Sequence, residues 1–141
     1  MRTLIPIRVA VALLLLATLG LTACGSDAEP AEGGRTIDLT AEDSGSSVEA
    51  AVGDEIVITL ESNVTTGFAW TLVTEPESEV LDLVDSEYVA PDTDLVGAGG
   101  EEVWTFVATG EGTTAIAMNY QRSSGETAGE PFDLTVVVKA A

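Results

Sequence analysis

The chain has 141 residues, of which 24 are acidic and five basic, and it contains one cysteine and no histidine. The formal net charge of −19 argues against nucleic acid or an anionic lipid surface as a partner, because like charges repel. With one thiol and no histidine, the chain cannot build a Ser/His or Cys/His nucleophile, an ordinary zinc site or an internal disulfide, so we expect neither an enzyme nor a bound cofactor.

Residues 1–23 have the features of an export signal. Two arginines give a basic start, the apolar run VAVALLLLATLGL spans 9–21, and small residues precede Cys24. The apolar run is shorter than a stable membrane span requires. The stretch LTAC (21–24) resembles the lipobox of bacterial lipoproteins, and this resemblance implies cleavage before Cys24 and a diacylglycerol on its thiol. The alternative is an ordinary secreted protein with an unmodified Cys24.

Cleavage at this point leaves a length of chain that suits one domain. The stretch GSDAEPAEGG (25–34) has no apolar periodicity, so we predict that 24–34 is a flexible tether and that 35–141 is the folded domain. The processed chain contains three basic and 24 acidic residues, so its net charge is −21. Each acyl CH₂ that is buried in the membrane contributes about 0.8 kcal/mol to the binding free energy, so we expect the lipid to hold the protein at the membrane. Because the chain carries an export signal, we expect it on the extracytoplasmic face of a bacterial membrane.

Apolar and polar residues alternate with a period of two in several short runs after residue 34. In EIVITLE (55–61), for example, Ile56, Ile58 and Leu60 share one face, as in a half-buried strand. The predicted strands are A 35–40, which could continue over 46–51, then B 54–61, C 68–74, D 80–89, E 102–109, F 113–120 and G 131–139. This pattern predicts an all-β fold, an immunoglobulin-like antiparallel β-sandwich of about seven strands without a disulfide.

Strand parity places three connections at one end of the predicted sandwich. If successive strands are antiparallel, the B–C loop (64–67), the D–E loop (90–101) and the F–G loop (122–130) emerge together. This grouping requires strand D to be continuous. A reversal at Asp85 would move the D–E loop to the opposite end.

Acidic residues near the D–E loop are the one candidate for a metal site. Asp92, Asp94, Glu101 and Glu102 lie close in sequence around a glycine run, and carboxylates are the ligands that calcium prefers. Their spacing is not that of an EF-hand, so the sequence alone does not define a calcium site. A binding module is therefore the class that the composition favours.

Three motifs resemble those of one inhibitor family. NVTTGFAW (63–70) resembles the NPTTGY/F-x-W motif of the chagasin family of cysteine protease inhibitors, and VGAGG (96–100) is similar to that family's G-x-G-G loop. The run YQR (120–122) stands where the family has Y-x-R-P-W. The order and spacing agree over roughly 48–139. The resemblance implies an immunoglobulin-like sandwich that inhibits papain-like cysteine proteases reversibly by inserting the B–C, D–E and F–G loops into the active-site cleft.

The resemblance also implies which residues contact the protease, and all of them lie in or beside these three loops. They are Asn63, Val64, Thr65, Thr66, Gly67, Phe68, Gly97, Ala98, Gly99, Gly100 and Arg122. By the same resemblance, 65–67 would lie over the catalytic cysteine of the protease. The residue types suit this role, because small side chains and a glycine allow close backbone approach, and an asparagine can hold a turn. We expect Trp70 to pack in the core behind the B–C loop.

Two departures from the family pattern bear on binding. Val64 replaces a proline, and Arg122 is followed by Ser123-Ser124-Gly125 instead of Pro-Trp, which removes an aromatic anchor. Arg122 is expected either to pair with an acidic group of the protease or to form a surface ion pair with a carboxylate of its own chain. The alternative function is a structural or adhesion module of the cell envelope with the same fold and no protease target. We expect a monomer in either case, and the sequence does not identify the protease.

Overall fold

The computed structural model describes residues 34–141, so the predictions for 1–23, for Cys24 and for nearly all of the tether lie outside the described residues. Within 34–141, eight strands form two four-stranded sheets. The strands are β1 (Thr36–Thr40), β2 (Ser46–Ala51), β3 (Glu55–Ser62), β4 (Phe68–Thr74), β5 (Leu81–Val89), β6 (Gly100–Ala108), β7 (Gly112–Arg122) and β8 (Phe132–Lys139). One sheet has the order β1-β3-β6-β5 and the other has the order β2-β8-β7-β4. No helix in this described part is long and apolar enough to cross a membrane.

The β-sandwich predicted from the alternating pattern is confirmed, and the structure refines its edge. The stretch 46–51 is not a continuation of the first strand but a separate strand, β2, in the opposite sheet. A 3₁₀ turn at Ala41–Asp43 and a left-handed Gly45, with φ of 80°, lead the chain from one sheet to the other. Consequently β1 pairs with β3 and β2 pairs with β8 in parallel, while the remaining ladders are antiparallel.

Two of the four edge strands, β4 and β5, each contain a β-bulge. Val84 has no partner between the pairs that Leu83 and Asp85 make with β6, and Val73 is left unpaired in the same way beside β7. The chain does not reverse at Asp85, so β5 is one continuous strand. The condition on which the grouping of the three loops depended is therefore met.

The core lies between the two sheets and is built from alternate residues of the strands. Its largest fully buried side chains are Phe106, Phe132, Ile56, Ile58, Leu60, Leu81, Ile116, Met118 and Val136. Burying one such side chain contributes about 1.5–3 kcal/mol. These side chains make the two sheets a rigid support for the loops at their ends.

A buried carboxylate fixes the end of the sandwich opposite the three loops. Asp54 accepts hydrogen bonds from the backbone N–H of Ala51 (2.9 Å), from the backbone N–H of Arg35 (2.9 Å) and from Arg35 Nη2 (3.0 Å). The Ala51 N–H, together with Arg35, holds the pKa of Asp54 below its ordinary value, although burial opposes this shift. The ionised carboxylate therefore stabilises the turn between β2 and β3.

We expect Asp54→Asn to lower the free energy of unfolding at pH 7 by about 1–2 kcal/mol, since it weakens hydrogen bonds to a charged group. Because the folded pKa is depressed, this stabilisation is complete above the ordinary Asp value of 3.8 and is lost as the pH falls through the folded pKa. Urea unfolding of both proteins from pH 7 downward measures the difference. Glu49→Gln, which breaks an exposed pair with Lys139, is the control, and a difference for Asp54→Asn that persists unchanged in acid would contradict the assignment.

Candidate functional site

The B–C loop is a closed turn rather than an open connection. Val64–Thr66 form one turn of 3₁₀ helix, capped at its start by Asn63. Asn63 Oδ1 accepts from Thr65 N (3.2 Å) and Thr65 Oγ1 (2.6 Å), and Thr66 Oγ1 donates to Asn63 O (2.6 Å). Gly67 ends the turn with φ of 78°, a left-handed conformation that glycine adopts without strain. Each polar residue of the motif thus has a structural role in the shape of the loop.

The D–E loop is bonded to the B–C loop through Gly97. Asn63 Nδ2 donates to Gly97 O (3.0 Å), and Gly97 has a left-handed φ of 81°. A Cβ on Gly100 would overlap Val89 O and the Tyr88 hydroxyl. Ala98 donates its N–H to Leu95 O (3.3 Å), which closes the tip of the loop. The glycines therefore serve close packing and turn geometry, not flexibility.

Arg122, the predicted contact residue of the F–G loop, forms an ion pair and a hydrogen bond within its own chain. It is the last residue of β7, and its Nη1 pairs with Glu126 Oε2 (2.7 Å). Its Nε donates to Thr66 O (3.2 Å), and its guanidinium carbon lies 4.4 Å from the centre of the Phe68 ring. The ion pair with Glu126 is a surface pair within the chain, which was one of the two alternatives expected for Arg122. This side chain joins the F–G loop to the tip of the B–C loop.

An aromatic cluster supports the B–C loop from below. The Tyr120 hydroxyl accepts from Asn63 N (2.7 Å), and the Tyr120 ring lies 5.4 Å from Phe68 and 5.3 Å from Trp70 between ring centres. We expected Trp70 to lie inside the core, but it packs against the edge of the core instead. It is half-buried at the margin because β4 is an edge strand, and its Nε1 donates to Glu61 O (3.0 Å) on the opposite sheet.

Of the exposed apolar side chains at the loop tips, Val64 was among the predicted contact residues, but Leu95 and Val96 were not singled out from the sequence. Leu95 and Val96 in the D–E loop are 76% and fully exposed, and Val64 in the B–C loop is 48% exposed. Neighbouring apolar residues that project into solvent at the end of a domain are typical of a binding surface. Leu95 and Val96 lie between two turn-forming stretches and outside any alternating strand pattern. This position was the feature of the sequence that could have identified them as exposed.

A groove of about 740 Å³ is lined by residues of the D–E loop and of the base of the B–C loop. Its walls include Glu61, Asn63, Asp92, Glu101 and Tyr120. Among residues 34–141, no three acidic, histidine or cysteine side chains form a group that could hold a metal ion. The acidic residues around the D–E loop thus contribute charge to this end of the domain and no assembled cation site in the part described.

Comparison with known proteins gives a consistent result. The model of the chagasin family peptidase inhibitor I42 matches residues 49–136. Chagasin from Trypanosoma cruzi is 34% identical over 105 residues, which cover 72% of this chain and 96% of that protein.

Three solved structures share the fold. The cysteine protease inhibitor EhICP2 from Entamoeba histolytica aligns with a TM-score of 0.63 at 21% identity, covering 74% of this chain and 96% of that one. Amebosin aligns with a TM-score of 0.62 at 28% identity, covering 76% and 100%. PbICP-C, solved in complex with falcipain-2, aligns with a TM-score of 0.55 at 18% identity, covering 76% and 93%.

Two substitutions of Asn63 separate its two hydrogen-bonding roles. We expect Asn63→Ala to lower the free energy of unfolding by about 1 kcal/mol, because it removes the cap of the 3₁₀ turn, and to speed amide exchange at Thr65. Asn63→Asp keeps an acceptor for Thr65 but cannot donate to Gly97 O. It should therefore preserve the protection of Thr65 while increasing exchange in the D–E loop. Equal exchange in both variants, measured by NMR, would contradict this division.

Proposed function

The chain belongs to the chagasin family of peptidase inhibitors, and on that premise we propose that it inhibits papain-like cysteine proteases reversibly by inserting the B–C, D–E and F–G loops into the active-site cleft. The observation that carries this proposal is the bonding among the three loops. Asn63 bonds to Gly97, and Arg122 bonds to Thr66, so the three segments form one surface before any partner arrives. A surface ordered in advance loses less conformational entropy on binding.

The B–C loop would enter the cleft first. Thr65, Thr66 and Gly67 have small or absent side chains, so their backbone can approach the catalytic cysteine closely. The backbone of the B–C loop is held in a 3₁₀ turn. A substrate, in contrast, lies extended in the cleft, where its peptide bond can be positioned for attack by the catalytic cysteine. This geometry favours obstruction of the cleft over cleavage of the inhibitor.

The remaining contacts would come from the D–E and F–G loops. Leu95 and Val96 in the D–E loop are exposed apolar side chains that a protease could bury. Burial of apolar surface is the main favourable contribution to most protein–protein association. The F–G loop has Ser123-Ser124-Gly125 where the family has an aromatic anchor, so its contribution is expected to be smaller. The acidic surface of the domain would favour a protease with a basic cleft margin.

The test is a titration of papain-family proteases with a soluble fragment that begins at residue 28 and is shown to be folded by circular dichroism. We expect inhibition that is reversed on dilution, without cleavage of the fragment. Absence of inhibition at micromolar concentration across the panel would overturn the proposal. Crosslinking from the loop end of the domain in intact cells would test the alternative. Recovery of an envelope component and no protease would favour the structural or adhesion module.

A single substitution in the same titration tests the B–C loop. We expect Thr65→Arg to raise the inhibition constant about 30-fold or more, because a bulky charged side chain at the tip of the loop blocks close approach and a central contact is worth at least ~2 kcal/mol. Thr113→Arg is the matched control, since it makes the same change at an exposed position of β7 near the opposite end of the sandwich. Equal inhibition by the two variants would rule out the B–C loop as the central contact.

The location of the inhibitor is a separate proposal, supported by the sequence LTAC at 21–24 and by the basic and apolar segments before it. We propose that the chain is exported and acylated on Cys24, so that the domain acts at the extracytoplasmic face of the membrane. In cells given labelled palmitate, the wild-type protein should carry label in the membrane fraction. Cys24→Ala should remain unlabelled, and equal membrane retention of both proteins would contradict acylation.

A further inference from the structure

We propose that the buried carboxylate of Glu102 is a positioning residue that aligns the two stems of the B–C loop for binding, an inference that rests on the proposed inhibitor function. Glu102 lies on β6 in a row of inward-facing residues that continues with Trp104 and Phe106. It is 9% exposed, although its neighbours in that row are apolar. A carboxylate at such a position is costly to bury unless its oxygens accept hydrogen bonds.

The hydrogen bonds of Glu102 reach both stems of the B–C loop. Its Oε1 accepts from Ser62 Oγ (2.6 Å), the residue that ends β3 directly before Asn63. Oε1 and Oε2 also accept from the backbone N–H of Trp70 (3.1 and 3.3 Å), near the start of β4. One side chain therefore fixes the residue on which the loop begins and a residue just after the loop ends.

The topology explains why such a link is needed. β3 and β4 belong to different sheets, so no ladder of backbone hydrogen bonds joins the two stems. In a hairpin the two flanking strands pair with each other and hold the ends of the loop at a fixed spacing, but this loop crosses between the sheets. The spacing of its stems must come from side chains, and Glu102 provides a direct connection through two donors. The bond from Trp70 Nε1 to Glu61 O adds a second link between the same strands.

The charge distribution shows that Glu102 is not held by a basic partner. In the described part of the chain, the three ion pairs are Arg35–Asp54, Arg122–Glu126 and Lys139–Glu49. Glu102 is thus a buried acceptor that is matched only to neutral donors. An apolar side chain would fill the same place in the core but would leave Ser62 Oγ and Trp70 N–H without this acceptor. The carboxylate is therefore suited to orient the loop.

The test uses the full-length protein, purified in detergent, with papain as the probe. Glu102→Leu removes both acceptors at similar volume. Thr114→Val is the matched control, because Thr114 is buried and its Oγ1 accepts from Glu77 N (2.9 Å) at the end away from the three loops. The measurements are the rate of dissociation from papain, amide exchange at Thr65 to Gly67, and the midpoint of thermal unfolding.

We expect Glu102→Leu to speed both dissociation and exchange in the B–C loop about tenfold or more, because loss of order appears mainly in the dissociation rate. Thr114→Val should lower the unfolding midpoint and leave both rates near those of the wild type. Glu102→Gln, whose Oε1 can still accept from Ser62 and Trp70, should restore much of the binding. Equal dissociation and exchange rates in Glu102→Leu and Thr114→Val would overturn the positioning role.

Two further outcomes are informative. If Glu102→Leu does not fold, Ser62→Ala removes one of the hydrogen bonds, and wild-type rates of both exchange and dissociation in that variant would count against the inference. If the wild-type protein does not bind papain or any relative, the proposed function fails. The exchange measurements then decide the role of Glu102 in loop order by themselves.

Discussion

The crossing of the chain from β3 to β4 is the constraint on which the rest of the site depends. The two strands lie in different sheets, so the segment between them receives no support from backbone pairing across its own stems. Side chains supply that support from several directions. Asn63 caps the turn, the Tyr120 hydroxyl accepts the Asn63 N–H, and Arg122 donates to Thr66 O within the loop. Glu102 accepts from Ser62 and Trp70, which lie on either side of the loop. The loop is consequently ordered by the interior and by its neighbours.

The same constraint explains the distribution of residue types around the loops. Polar groups that would be exposed in an ordinary turn are used here to connect one segment to another, as Asn63 connects the B–C and D–E loops. The small residues at the tip of the B–C loop leave its backbone accessible. Thr65 and Thr66 also bond to Asn63, so the same short side chains contribute to both access and rigidity.

Much of the fold follows from the sequence because alternation with a period of two is a local property. The strands, the sandwich and the grouping of the loops could all be predicted from it. The ion pair of Arg122 was one of two alternatives that the sequence left open. The bond from Arg122 to Thr66 could not be predicted, because the two residues are 56 positions apart and only the folded topology brings them together. Trp70 was placed in the core from its apolar character, but an edge strand leaves one side of each residue open to solvent. The separate strand β2 was missed because its short pattern does not reveal which sheet it joins.

The bulges in β4 and β5 have a consequence for how copies of this domain can approach each other. An outermost strand with a regular edge can serve as a template for a strand from a neighbouring molecule, which extends the sheet across molecules. Val73 and Val84 interrupt that edge in each sheet, and Asp82, Asp85 and Glu87 add like charges along β5. These two of the four sheet edges therefore resist sheet extension, and many domains can lie close together without forming continuous intermolecular sheets through β4 and β5.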